Sequence, residues 1–145
     1  MANMTKTAGL SDQEKEAMRT RMKELAGEEK QNRKREDGEK AVKKVIDRLT
    51  GTDKEFASKV HELVAKNAPE LWPKTWYGFP AYARDGDIVC FFKPAGRFKV
   101  RYAELGFNEF AKLDDGKMWP TVYALVALGR DEEDRIAALL RKAVS

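Results

Sequence analysis

The sequence predicts an α+β fold. It is a two-layer sandwich in which an antiparallel sheet is covered by helices, with a helical arm added at the N-terminus. Three observations carry this reading. Of the 14 aromatics in 145 residues, 12 fall between Trp76 and Tyr123, in short segments of two-residue period bounded by turn signals. Helical periods flank that stretch on both sides, over 39–64 and after Asp131. The strand-like segments follow one another without intervening long helices, which separates the two element types into layers.

The arm comes first. Ser11 can act as N-cap, with Glu14 three residues on completing a capping box. Ala17, Met18, Met22 and Leu25 then make a thin apolar stripe. From Gly27 to Lys40 the chain reads GEEKQNRKREDGEK, which cannot bury a face. Residues 1–37 are therefore read as a charged helical arm whose first nine residues are mobile, and 38–145 as the compact domain. Val42, Val45, Ile46 and Leu49 give the next helix its buried face, and Gly51 ends it. Thr52 and Glu55 form a second capping box, and Phe56, Val60, Leu63 and Val64 make the following stripe. His61 lies at the flank of that stripe and reads as a surface or boundary residue. Pro69 stops the helix.

The sheet follows. Residues 76–83 read as one irregular strand, since Gly78 and Pro80 argue for a bulge or an edge. Asp85-Gly86 is a two-residue hairpin signal. Ile88 to Lys93 is apolar on both faces, which predicts a central, covered strand, with Cys90 buried between Ile88 and Phe92. Pro94-Ala95-Gly96 turns the chain. Over 97–102, Phe98, Val100 and Tyr102 alternate with Arg97, Lys99 and Arg101. A helical turn or more is expected within Gly106 to Leu113, using Phe107, Phe110 and Ala111, a turn at Asp114-Asp115-Gly116, and a strand from Trp119 to Leu128. Asp131 should cap a last helix with Ile136, Leu139, Leu140, Ala143 and Val144 as its core stripe.

Composition narrows the function classes. The net charge is +4, with 42% hydrophobic and 36% charged residues, and both signs are interspersed. One cysteine allows no intrachain disulfide, MANMTKTAGLS is too polar for a secretion signal, and no apolar run has membrane-spanning length. A cytoplasmic protein that does not enter membranes is expected. One histidine and one cysteine cannot make a zinc site of usual composition, and no nucleophile–base spacing suggests a catalytic set. No catalytic residue is assigned.

The alternation at 97–102 carries the main functional expectation. Burying three unpaired cations would cost several kcal/mol each, whereas burying an apolar side chain gains about 1.5–3 kcal/mol. So Phe98, Val100 and Tyr102 should face the helices, and Arg97, Lys99 and Arg101 should face away. The second apolar face of Ile88–Lys93 would adjoin this basic row and make a small anion-accepting cleft. Trp76, Tyr77 and Tyr82 belong to an aromatic set larger than one core face needs, and are expected to line that cleft or a partner surface. The basic arm segment KQNRKRE has flanking glutamates and no interleaved aromatics, so nucleic acid is not expected as a partner.

The string WYGFPAYARDGDIVCFFKPAGRFKVRYAELGF, followed by LDDGKMWP, resembles the YdhG-like family of small bacterial domains, over residues 40–145. The resemblance implies a sandwich comparable to frataxin and, for some relatives, an intracellular iron chaperone's role. It brings no catalytic residues. Iron is the one cofactor it raises, and with a single histidine the ligands would be carboxylates, with Glu109, Asp114 and Asp115 as candidates. The expected function is a small binding module taking an anionic ligand or a protein partner on an aromatic and basic sheet surface. The alternatives are carboxylate-based iron delivery and an enzyme that binds a small anionic substrate through Arg97 and Arg101.

Overall fold

The computed structural model of the protein describes residues 11–31 and 35–145. The elements in order are α1 (Asp12–Gln31), α2 (Arg35–Arg48), α3 (Gly51–Asn67), β1 (Trp72–Trp76), β2 (Phe79–Arg84), β3 (Asp87–Lys93), the single turn α4 (Ala95–Phe98), β4 (Ala103–Phe107), β5 (Val122–Leu125) and α5 (Arg130–Ala143). The expected mobile residues 1–9 lie outside the described residues, as do residues 32–34 within KQNRKRE. The five strands pair antiparallel in the order β1-β2-β3-β4-β5, a meander with β3 at its centre. Helices pack on this sheet and an N-terminal helix is added, which is the α+β class expected.

One side of the sheet carries the main core. Val42 and Ile46 from α2, Phe56, Val60 and Val64 from α3, and Ile136 and Leu140 from α5 close over Tyr82, Cys90, Phe92, Leu105 and Phe107. Each such aliphatic or aromatic burial is worth about 1.5–3 kcal/mol. The helical periods place these residues on one face each. The fit is close between α2 and β1, where a Cβ on Gly38 would collide with the Pro73 carbonyl. Only a residue without a side chain lets the helix backbone come that near the strand.

The other side holds a smaller cluster. Phe79 and Phe98 are buried there with Trp76, Tyr77 and Phe91 half-buried around them, and the cover is Ala17 of α1. Trp76 meets Tyr77, Phe79 and Phe91 edge-on at 5.3–5.8 Å between ring centres, the preferred arrangement of aromatic quadrupoles. The apolar stripe expected on α1 is thus used in only one position. Met22 and Leu25 remain 72% and 54% exposed, because the helical period turns them away from the face on which Ala17, Arg21 and Glu24 meet the rings and the Gly78 turn.

Local structure departs from the sequence expectations at several points. Residues 76–83 are not one strand. Tyr77 and Gly78, with φ of 51° and 79°, turn the chain between β1 and β2 just as Asp85 and Gly86 do between β2 and β3, the two-residue geometry that suits the twist of a hairpin. A register shift opposite Tyr82 and Ala83 leaves Val89 outside the pairing, so Val89 joins Cys90 in the helix-side core instead of alternating with it. Residues 97–102 are not a strand either; they are considered with the site below. The stretch near Phe107 to Ala111 ends β4 and forms no helix, and the strand expected at Trp119–Leu128 shrinks to β5. The expected caps Thr52 and Asp131 lie inside α3 and α5. Gly129 precedes α5 instead, and Glu132 Oε1 accepts its N–H at 2.8 Å. No helix among the described residues is long and apolar enough to cross a membrane.

Candidate functional site

The site is best built from the helix that frames it. On α2, Val42 and Ile46 face the core, while Lys40, Lys44 and Arg48 recur at four-residue spacing and share the face turned away from it. That basic face lines an open groove of about 1250 Å³, which also takes in Glu16, Thr20 and Glu24 of α1, the α2–α3 junction, and the chain around α4. Arg97 and Arg101 reach the same groove from α4 and the segment after it. Its apolar floor includes Leu49, Phe56, Ala103 and Leu125.

A long-range cap creates the α4 wall. Asp53, in the first turn of α3, accepts the N–H groups of Gly96 and Arg97 at 2.9 and 2.8 Å. This satisfies donors that a helix start leaves without partners. Residues 95–98 therefore wind into a helical turn, and Lys99, with φ of 54°, ends it in the left-handed conformation. The alternation of Arg97, Lys99 and Arg101 with Phe98, Val100 and Tyr102 has no strand to act on. Phe98 is buried, Tyr102 is half-buried and Val100 is 48% exposed.

The three members of the expected basic row accordingly separate. Arg97 is half-buried: its guanidinium donates to the Gly78 carbonyl and stands 5.1 Å from the Phe98 ring centre. Burial lowers its affinity for the proton below the ordinary arginine value, while Glu16 and Glu24 pull the other way. Glu24 Oε1 in turn accepts the Gly78 N–H at 2.8 Å, so the turn between β1 and β2 is held by an arginine on one side and a carboxylate of α1 on the other. Arg101 is exposed, with its guanidinium 5.4 Å from the Tyr102 ring centre. Lys99 is exposed and does not line the groove.

The expected aromatic wall is elsewhere. Trp76 and Tyr77 belong to the cluster under α1. Tyr82, 1% exposed, points into the helix-side core. Its hydroxyl meets His61 Nδ1 at 2.9 Å, and His61 Nε2 meets Glu39 Oε1 at 2.7 Å. A carboxylate only accepts, so Nε2 carries the proton toward Glu39 and, in the neutral ring, Nδ1 accepts from Tyr82. His61 therefore bridges α2, α3 and β2. Burial raises the Tyr82 phenol well above its ordinary value, and pushes the neighbouring Cys90 thiol up to about 12. Both groups are held protonated, which suits a satisfied core and not a nucleophile.

Glu109, Asp114 and Asp115 are each exposed. Among the described residues, no three His, Cys, Asp or Glu side chains come together closely enough to hold a metal ion. The residues missed in the sequence are Lys40, Lys44 and Arg48. Their four-residue spacing was available as a signal, masked by the glutamates and aspartates interspersed along the same segment. Comparison of the chain with protein-family models, with curated proteins and with solved structures finds no match.

Proposed function

We propose that the chain is a small binding module of the YdhG-like type that its sequence resembles, and that its ligand is anionic and occupies the groove between α2 and α4. The observation that carries this is the imbalance of partners in the groove. It is lined by five cations, Lys40, Lys44, Arg48, Arg97 and Arg101, and by the carboxylates Glu16, Glu24, Asp37 and Asp53. Asp53 and Glu24 already accept backbone N–H groups. Lys40, Lys44, Arg48 and Arg101 have no carboxylate partner among the described residues. Cations gathered in a concave, partly apolar surface favour anions more than scattered surface charges do, because the walls exclude solvent and focus the field.

The other two readings have less support. Iron delivery through carboxylates would need ligands that converge, and Glu109, Asp114 and Asp115 are exposed and, among the described residues, belong to no group of three close enough to hold a metal ion. An enzyme using Arg97 and Arg101 for binding would take an aspartate of the groove as acid or base; Asp53 is committed to the Gly96 and Arg97 N–H groups, which leaves Asp37, and among the described residues no second group for proton transfer is set against it by a hydrogen bond.

Calorimetric titration with inorganic phosphate, pyrophosphate and citrate tests the reading. At least one should bind, and Lys44→Gln combined with Arg48→Gln should weaken that binding at least tenfold. Absence of binding by all three, or binding indifferent to the double variant, would refute it.

A further inference from the structure

The spacing of the basic face on α2 says more about the ligand than its charge alone. With a rise of 1.5 Å per residue, Lys40, Lys44 and Arg48 succeed one another at about 6 Å and span about 12 Å along the helix. A single compact anion would have to draw the outer two side chains in toward Lys44, whereas a linear one meets each where it stands. Every second phosphate of a stacked nucleic-acid strand advances by about 6.8 Å, at 3.4 Å per nucleotide, which matches the row within the reach of flexible side chains. All three are exposed, and none is tied to a carboxylate among the described residues.

We propose that the groove takes a phosphate chain, a linear run of phosphates laid along Lys40, Lys44 and Arg48, with Arg101 contacting it from the far segment. The inference rests on the anion-binding reading and specifies its ligand. Recognition is of the backbone only. Sequence-tolerant single-strand binders add exposed aromatic platforms on which bases stack. The two aromatics in this groove do not serve, since Phe56 is buried in the helix-side core and Tyr102 is half-buried with Arg101 near its ring. The acidic residues mark the other end. Glu16 and Glu24 act on Arg97, so that end of the groove is close to neutral and the chain should lie toward Arg48 and Arg101. Asp37, one turn before Lys40, lines the groove too and makes Lys40 the weakest contact of the row. Two sources share this chemistry, inorganic polyphosphate and the backbone of single-stranded nucleic acid.

The experiment compares four probes on the intact protein by fluorescence anisotropy and competition: inorganic phosphate, citrate, a short polyphosphate and a short mixed-sequence single-stranded oligonucleotide. The chain probes should bind at least tenfold more tightly than phosphate or citrate. A plot of log affinity against log salt should have a slope of about −3, from four contacts at about 0.7 each for a single strand. Lys44→Gln and Arg48→Gln should each remove about 0.7 from that slope, Arg48→Lys should keep it, and Lys66→Gln, outside the groove, should change nothing. Tight binding of polyphosphate alone assigns the inorganic source, and binding of the oligonucleotide assigns nucleic acid. Phosphate or citrate binding as tightly as either chain overturns the phosphate-chain proposal and leaves the anion reading intact. Chain binding with a slope unaffected by the row variants also overturns it. No binding by any probe removes both.

Discussion

The two faces of the sheet are covered by different means. On the helix side, α2, α3 and α5 bring a full stripe of aliphatic and aromatic residues against β2, β3 and β4, and α2 lies so close to β1 that Gly38 admits no side chain. On the arm side, one helix rests on a ring cluster through Ala17, and Glu24 fastens it to the Gly78 N–H. The first cover is held by area and close packing, and the second by one small contact and a few polar ties. That difference teaches which side can be altered without unfolding the protein.

Two glycines allow a direct comparison. A Cβ on Gly38 would strike backbone, the Pro73 carbonyl, whereas a Cβ on Gly106 would strike the ring of Phe91, a half-buried side chain on the arm side. Backbone cannot step aside and a ring at a thin cover can. Gly38→Ala should lower stability by about 3 kcal/mol and Gly106→Ala by about 1–2 kcal/mol, read as urea midpoints at unchanged slope. Equal losses would mean that the two faces are packed alike.

The helix side was largely legible in the sequence and the arm side was not. Val42 and Ile46, Phe56 and Val60, and Ile136 and Leu140 recur at helical spacing because each helix has one core to meet, and the pattern is local. Asp85-Gly86 is a turn whatever surrounds it. The segment RFKVRY misled because its fate is decided 43 residues upstream, where Asp53 supplies the cap that winds 95–98 into a turn. Met18, Met22 and Leu25 misled for a related reason: the surface α1 rests on is built of rings from distant strands, and α1 meets it with the face of Ala17, Arg21 and Glu24, not with the longer apolar residues. Of the candidate site, Arg97 and Arg101 were found and reach the groove. Lys99 was assigned by an alternation that does not exist there, and Trp76, Tyr77 and Tyr82 by an aromatic excess that the structure uses up in packing, Tyr82 in the helix-side core and the other two in the cluster under α1.

Removing α1 is the second test of the comparison. A chain starting at Arg35 keeps α2 and every helix-side contact, and loses Ala17 and the Glu24 tie. The expected loss is about 2 kcal/mol, from a buried methyl at about 0.8 kcal/mol and a hydrogen bond at about 1 kcal/mol. Melting should stay cooperative, and the exposed Trp76–Phe79–Phe98 cluster should bind a hydrophobic dye. A truncated chain without a cooperative transition would show that the two covers are one unit.

The helix side should also report itself through pH. In the folded protein the Cys90 thiol is pushed from 9.0 up to about 12 by burial, so above pH 9 the unfolded chain loses a proton that the folded chain keeps. Stability is therefore complete below pH 9 and falls as pH rises from there toward 12, by about 1.4 kcal/mol per unit. The Tyr82 phenol, raised for the same reason, adds to the fall above its ordinary value of about 10. Cys90→Ala should flatten the decline between pH 9 and 10, whatever its effect at pH 7. An unchanged slope in that variant would mean the thiol is not sealed.

The smallest effects belong to the two arginines. Arg97 bonds the Gly78 carbonyl and partly covers Phe98 on the arm side, yet burial works against its charge, so these contributions offset in part. Arg97→Ala should cost about 1 kcal/mol, or about 3 °C in melting temperature for a chain of this size. Arg101 is exposed with no carboxylate partner among the described residues, and Arg101→Ala should stay within about 0.5 kcal/mol. Binding should rank them in the reverse order. Arg97 is already committed to Gly78 and lies at the end of the groove that Glu16 and Glu24 neutralise, while Arg101 is open to an anion. A variant pair in which Arg97→Ala weakens phosphate-chain binding more than Arg101→Ala would place the ligand under α1, and the arm side, not the basic face of α2, would then be the working surface.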